Sequence, residues 1–149
     1  MAKAVSLKPT TSGQMRLEKW DPDGDSYVIF QEPRRGEQQE IDTLLASSEI
    51  TYADGGREIK QRDRMPLSVQ EEHMVARTLV ECNVPEEDSD KPIFYPGKTC
   101  RAAGKALTGD VSVAFGKVWR NLPGKLADEI VELMGEFYPP FSWRGTSEE

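Results

Sequence analysis

The sequence predicts a mainly α protein with a small N-terminal β-hairpin: a single small helical domain of α+β type with irregular arms and loops. Three observations predict it. Between Asp110 and Phe137, apolar residues recur at helical spacing in two runs separated by Asn121-Leu122-Pro123-Gly124. A further periodic run, Val69 to Cys82, follows a Ser68 and Glu71 capping-box pattern. Near the N-terminus, Met15 and Leu17 alternate toward Asp21-Pro22-Asp23-Gly24-Asp25, and Tyr27-Val28-Ile29-Phe30 follows that turn signal.

The C-terminal pair is the strongest of these. Val111, Ala114, Phe115, Val118 and Trp119 fit a helix over 110–120, which Asp110 can cap. Leu126, Ile130, Leu133, Met134 and Phe137 form one stripe of a helix over 123–138. Glu129, Glu132 and Glu136 fall on the complementary face and are expected in water. Pro123 suits the first helical turn, and Pro139-Pro140 ends the helix.

Length and composition set the limits. One domain is expected for 149 residues, with 1–13 as a flexible or partner-binding arm, 14–143 as the domain and 144–149 as a frayed tail. Twelve glycines and ten prolines imply several breaks. A formal charge of −7 argues against a general nucleic-acid binder. The sequence holds no apolar run long enough to span a membrane, and Met1 to Val5 does not open a secretory signal. Cys82 and Cys100, the two cysteines, are expected to be unpaired thiols.

In chain order, a hairpin is expected over 14–32, a helix over 37–47 carrying Ile41, Leu44 and Leu45, and a second small hairpin over 50–60 around Asp54-Gly55-Gly56. Gln61 to Arg64 is expected as a polar loop. A helix over 69–82 comes next, then an acidic, proline-rich loop over 83–98 pinned by Ile93-Phe94-Tyr95. A short alanine-rich helix over 100–107, capped by Thr99, precedes Asp110.

Chemical motifs are weak. Asp21, Asp23, Asp25 and Glu32 match positions one, three, five and twelve of a calcium loop, yet position six is Ser26 where that loop needs glycine. An aspartate-rich hairpin turn is the favoured reading. His73 is the sole histidine and has no second ligand nearby, so no metal site is expected. Gly97-Lys98-Thr99 lacks the upstream glycine of a phosphate loop. No catalytic residue, metal or cofactor is therefore expected. Surfaces remain: Phe94, Tyr95, Trp119, Leu126, Ile130, Leu133, Phe137, Phe141 and Trp143 are the candidate partner-binding residues. The Tyr138–Trp143 tail either presents aromatics in extended form or folds back on the last helix.

Phe115-Gly116-Lys117-Val118-Trp119-Arg120-Asn121-Leu122-Pro123, followed by Leu126-Ala127-Asp128-Glu129-Ile130, resembles the small tail assembly chaperones of long-tailed bacteriophages. Tyr27-Val28-Ile29-Phe30 running through Pro33 and Gly36 into a helix adds to the resemblance. The 83–98 loop and the Pro-Pro-Phe-Ser-Trp end have no counterpart in it. The resemblance implies a non-enzymatic morphogenesis factor in the host cytoplasm, with the tape-measure protein and tail-tube protein as partners and a homo-oligomer left open. The alternative is a structural virion protein: a neck, tail-completion or capsid-associated subunit.

Overall fold

The computed structural model describes residues 2–4, 12–48, 50–52, 59–62, 66–87 and 89–141, and the side chains of all of these except 45–48, 50–52 and 59–62. Two antiparallel strands, β1 (Ser12–Arg16) and β2 (Tyr27–Gln31), precede helix α1 (Arg35–Ser48). A two-stranded sheet follows, β3 (Ile50–Tyr52) and β4 (Ile59–Arg62), then α2 (Leu67–Ala76). Strands β5 (Leu79–Pro85) and β6 (Pro92–Phe94) lead to α3 (Gly109–Trp119), α4 (Gly124–Phe137) and one 3-10 turn, Pro139–Phe141. The main sheet has the order β1-β2-β5-β6 and is antiparallel throughout. The fold is therefore α+β with a four-stranded sheet at its centre, which corrects the mainly α expectation.

The first hairpin forms as expected, with Met15 opposite Val28 and Arg16 opposite Tyr27. Its strand begins at Ser12, so Ser12 and Gly13 belong to the sheet and not to an arm. Arg16 explains the turn. Its guanidinium donates to the carbonyls of Pro22 and Gly24, while Asp21 accepts from the Ser26 hydroxyl at 2.7 Å. The hollow of the turn is thus filled by a cationic side chain of the protein itself. Gly13 lies against Phe137: a Cβ there would stand 3.0 Å from the ring.

The main departure is β5. The expected helix over 69–82 ends at Ala76, and Arg77-Thr78 turns the chain into a strand. Thr78 closes that helix with its hydroxyl, which donates to the Met74 carbonyl at 3.0 Å. From Val80 to Val84 the burial alternates, with Val80, Cys82 and Val84 inside and Glu81 and Asn83 half-exposed. This period of two is the strand pattern. Apolar residues before and after Arg77 also satisfy helical spacing, so periodicity alone favoured one long helix.

The expected 83–98 loop is replaced by the rest of β5, a tight connection and β6. The Glu86 N–H donates to the Lys91 carbonyl at 2.9 Å and closes the hairpin. Gln61 and Arg62 likewise belong to β4, with Tyr52 opposite Ile59 as the second hairpin requires. Residues 5–11, including Val5 and Leu7, and residues 53–58 with the Asp54-Gly55-Gly56 signal lie outside the described residues.

Three expected cap positions differ. α2 begins after Pro66, not at a Ser68 capping box, and Glu71 is buried. α3 is capped by Thr108, whose side chain accepts from the Val111 N–H at 3.3 Å; Asp110 sits in the first turn, where its charge suits the helix dipole. Pro123 occupies the cap position of α4, one residue earlier than expected. No helix spans 100–107. Gly104 has φ +76° there, a conformation that a right-handed helix excludes.

The core lies between the sheet and the helices. α4 packs on β2, α3 packs on β6, and α2 packs against both helices and α1. Phe94, Phe115 and Trp119 stack in series, with centroids 5.1 and 5.7 Å apart. Phe30 stacks on Phe137 at 5.8 Å. Phe141 is buried and meets Tyr138 edge-on at 4.9 Å, so the tail folds back as far as that residue. Trp143 lies outside the described residues.

Candidate functional site

A groove of about 830 Å³ lies between the β5–β6 hairpin, the α3–α4 corner and the turn after β1. Val84, Ile93, Val118, Leu122 and Leu126 supply apolar lining. Trp20 and Tyr95, two of the largest exposed apolar side chains among the described residues, also line it. Its ionic lining groups, Glu86, Glu87, Lys91 and Lys98, are all exposed. A concavity of this size is in the range of ligand and peptide sites.

The backbone beneath each aromatic side chain is held in a different way. Tyr95 is fixed by its own loop. Its carbonyl accepts from the N–H groups of Lys98 and Thr99, each at 3.0 Å, and its N–H donates to Thr99 Oγ1 at 2.7 Å. Gly97 makes the bend possible with φ +82°. Lys98 Nζ stands 5.5 Å from the Tyr95 ring centroid, a cation–π contact. The loop is anchored below by buried Cys100, whose Sγ donates to the Val80 carbonyl at 2.8 Å.

Trp20 is fixed from outside its turn. Glu129 on α4 accepts from the Lys19 N–H at 2.9 Å and from the Trp20 N–H at 2.8 Å. Glu129 is only 5% exposed, so the expectation of a solvated glutamate is corrected at this position. Its neighbours Glu132 and Glu136 are exposed, and Glu132 pairs with Lys19 at 2.8 Å.

The nine expected partner-binding residues separate clearly. Tyr95 is exposed in the groove and Leu126 lines its base, almost fully buried. Phe94, Trp119, Ile130 and Phe141 are buried in the core. Leu133 and Phe137 are half-buried and pack against that core. The ninth, Trp143, is outside the described residues. Along the α4 stripe, Ile130 and Met134 are buried, Leu133 and Phe137 pack against the core, and Leu126 at the N-terminal end lines the groove. Trp20, Ile93, Val118 and Leu122 are groove residues outside the expected set. The available signal was Trp20, an aromatic directly before an aspartate-rich turn.

The groove is lined by Glu86, Glu87, Lys91 and Lys98 and by neither the histidine nor a cysteine. His73 lies elsewhere, on α2, with its pKa lowered by burial and by nearby Arg77. Burial pushes the Cys82 thiol up to about 11 and the Cys100 thiol up to about 12. Both cysteines are free and buried. Such thiols are poor nucleophiles at neutral pH. No helix among the described residues is long and apolar enough to cross a membrane.

These features define an α+β protein with an aromatic-walled apolar groove. Set against protein-family models, curated proteins and solved structures, the chain matches none.

Proposed function

We propose that this chain is a non-enzymatic assembly factor of a long-tailed bacteriophage, whose groove holds apolar segments of the tape-measure protein while tail-tube subunits assemble around it. The observation that carries the proposal is the groove itself: Trp20 and Tyr95 stand exposed beside an apolar lining. Exposed aromatics over an apolar floor suit a client segment that must be kept from aggregating. The charge of −7 keeps a complex with an insoluble client dispersed. The resemblance across Phe115–Pro123 and Leu126–Ile130 supplies the client's identity, and both stretches contribute to the groove through Val118, Leu122 and Leu126.

Co-expression with the tape-measure protein of the same genome tests this. The client should become soluble and co-purify with the chain. Trp20→Ala and Tyr95→Ala should each lose that effect while keeping the native circular dichroism spectrum. Failure of the wild-type chain to associate with or solubilise the client overturns the proposal. Stoichiometric recovery of the chain from purified mature virions would instead favour a structural subunit of the neck, tail end or capsid.

A further inference from the structure

The two aromatic side chains of the groove differ in how they are held. Tyr95 is tied within its own loop, whereas the Trp20 backbone is tied to α4. Residues Leu17 to Asp21 make one helical turn, closed by the Asp21 N–H donating to the Leu17 carbonyl at 3.0 Å. The first amides of such a turn have no acceptor inside it. Those of Lys19 and Trp20 donate to the two carboxylate oxygens of Glu129, one to each. A carboxylate at 5% exposure is costly to bury unless donors surround it, and here the turn supplies them. The second tie, Lys19 to Glu132, joins side chains that are 70% and 53% exposed and holds little. Leu126, at the base of the groove, lies three residues before Glu129 on the same helix.

We infer that Glu129 is the positioning residue of the groove: its carboxylate fixes the turn that carries Trp20 and so sets how far the groove opens. The inference rests on the reading of the groove as the client site, and it makes α4 both the floor and the fastening of the wall. Glu129 touches no occupant and acts only through Trp20.

The test uses the full chain labelled with fluorotryptophan, with the Trp20 signal assigned by Trp20→Phe, and the dye 1-anilinonaphthalene-8-sulfonate as a probe of the groove. Tyr95→Ala marks dye bound in the groove by weakening it. Glu129→Gln leaves one acceptor oxygen and replaces the other by a donor, so one amide loses its partner. It should shift the Trp20 fluorine signal, leave that of Trp119 in place, and weaken the dye about fivefold or more, the scale of one lost hydrogen bond. Lys19→Ala should do neither. If Glu129→Gln does not fold, Glu129→Asp keeps both oxygens but withdraws them, and the same signals are expected to move. The inference is overturned if the folded variant leaves Trp20 and dye binding unchanged, if Lys19→Ala reproduces its effect, or if the Trp20 and Trp119 signals shift together. It is also overturned if wild-type chain binds no dye in the groove. Client solubilisation is measured in parallel: wild-type chain that binds dye but not client overturns the chaperone reading and leaves the positioning role standing.

Discussion

Arg101 donates to Glu37 at 2.6 Å, with the two side chains 0% and 7% exposed. The pair ties the loop after β6 to the first turn of α1. Arg101 also donates to the carbonyls of Arg77 and Lys105, and the other oxygen of Glu37 accepts from the Arg34 N–H at 3.1 Å. Removing one partner leaves a buried charge alone, which typically costs about 3–5 kcal/mol. Arg101→Leu is expected to lower stability by that amount in urea unfolding, and Arg101→Leu with Glu37→Leu to recover part of it. A loss below about 1 kcal/mol for the single variant would show that water reaches the pair.

The thiols give a second prediction. Cys82 and Cys100 ionise only at about 11 and about 12 in the folded chain, pushed up first by burial. Iodoacetamide at a pH near 8, close to the ordinary thiol range, should modify neither cysteine in the native protein and both in urea. The sign for stability follows. The raised folded values contribute stability that is present below the unfolded thiol pKa and lost as pH rises through the folded ones. Rapid alkylation of either thiol in native buffer would contradict this burial.

His73 gives a prediction on the acid side. Its pKa is lowered from 6.5, by burial first and Arg77 next; Glu72 opposes the shift and Arg120 adds to it. The contribution to stability is therefore present above the unfolded pKa and lost as pH falls through the folded one. Urea midpoints measured between roughly pH 7 and 5 should fall less steeply for His73→Gln than for the wild-type chain. Equal slopes would rule out this linkage.

Two glycines should respond in opposite directions. Gly104 has φ +76° and donates its N–H to Gln31 at 2.9 Å, so Gly104→Ala is strained and should cost about 1 kcal/mol. Gly109 opens α3, and a Cβ at that position would meet nothing within 4 Å, so Gly109→Ala should stabilise by about 0.5–1 kcal/mol. Thermal unfolding of the pair decides both.

Much of the fold was legible where a local signal met no rival. The Asp21–Asp25 turn between alternating runs specified the first hairpin, and the stripe from Leu126 to Phe137 specified α4. The segment from Val69 to Val84 misled because Met74, Val75, Leu79 and Cys82 satisfy helical spacing while Val80, Cys82 and Val84 satisfy strand spacing. Pairing of Val28 with Cys82 decides between them, and that contact is far away in sequence. The alanines from Ala102 to Ala106 promised a helix, but Gly104 and buried Arg101 belong to a loop. The groove was half-legible. Tyr95 and Leu126 stood out as apolar residues, while the place of Trp20 depends on Glu129, whose burial no helical wheel reveals: the wheel puts it on the charged face.

The grip of Glu129 on the amides of Lys19 and Trp20 spans 110 and 109 positions of the chain. Synthesis runs from the N-terminus, so the tryptophan turn leaves the ribosome before α4 and waits for it. A nascent chain halted before Glu129 has the sequence of the first hairpin but no fastening for its aromatic wall. The finished groove thus depends on the order of synthesis: its aromatic wall is set only once the segment carrying Glu129 has been made.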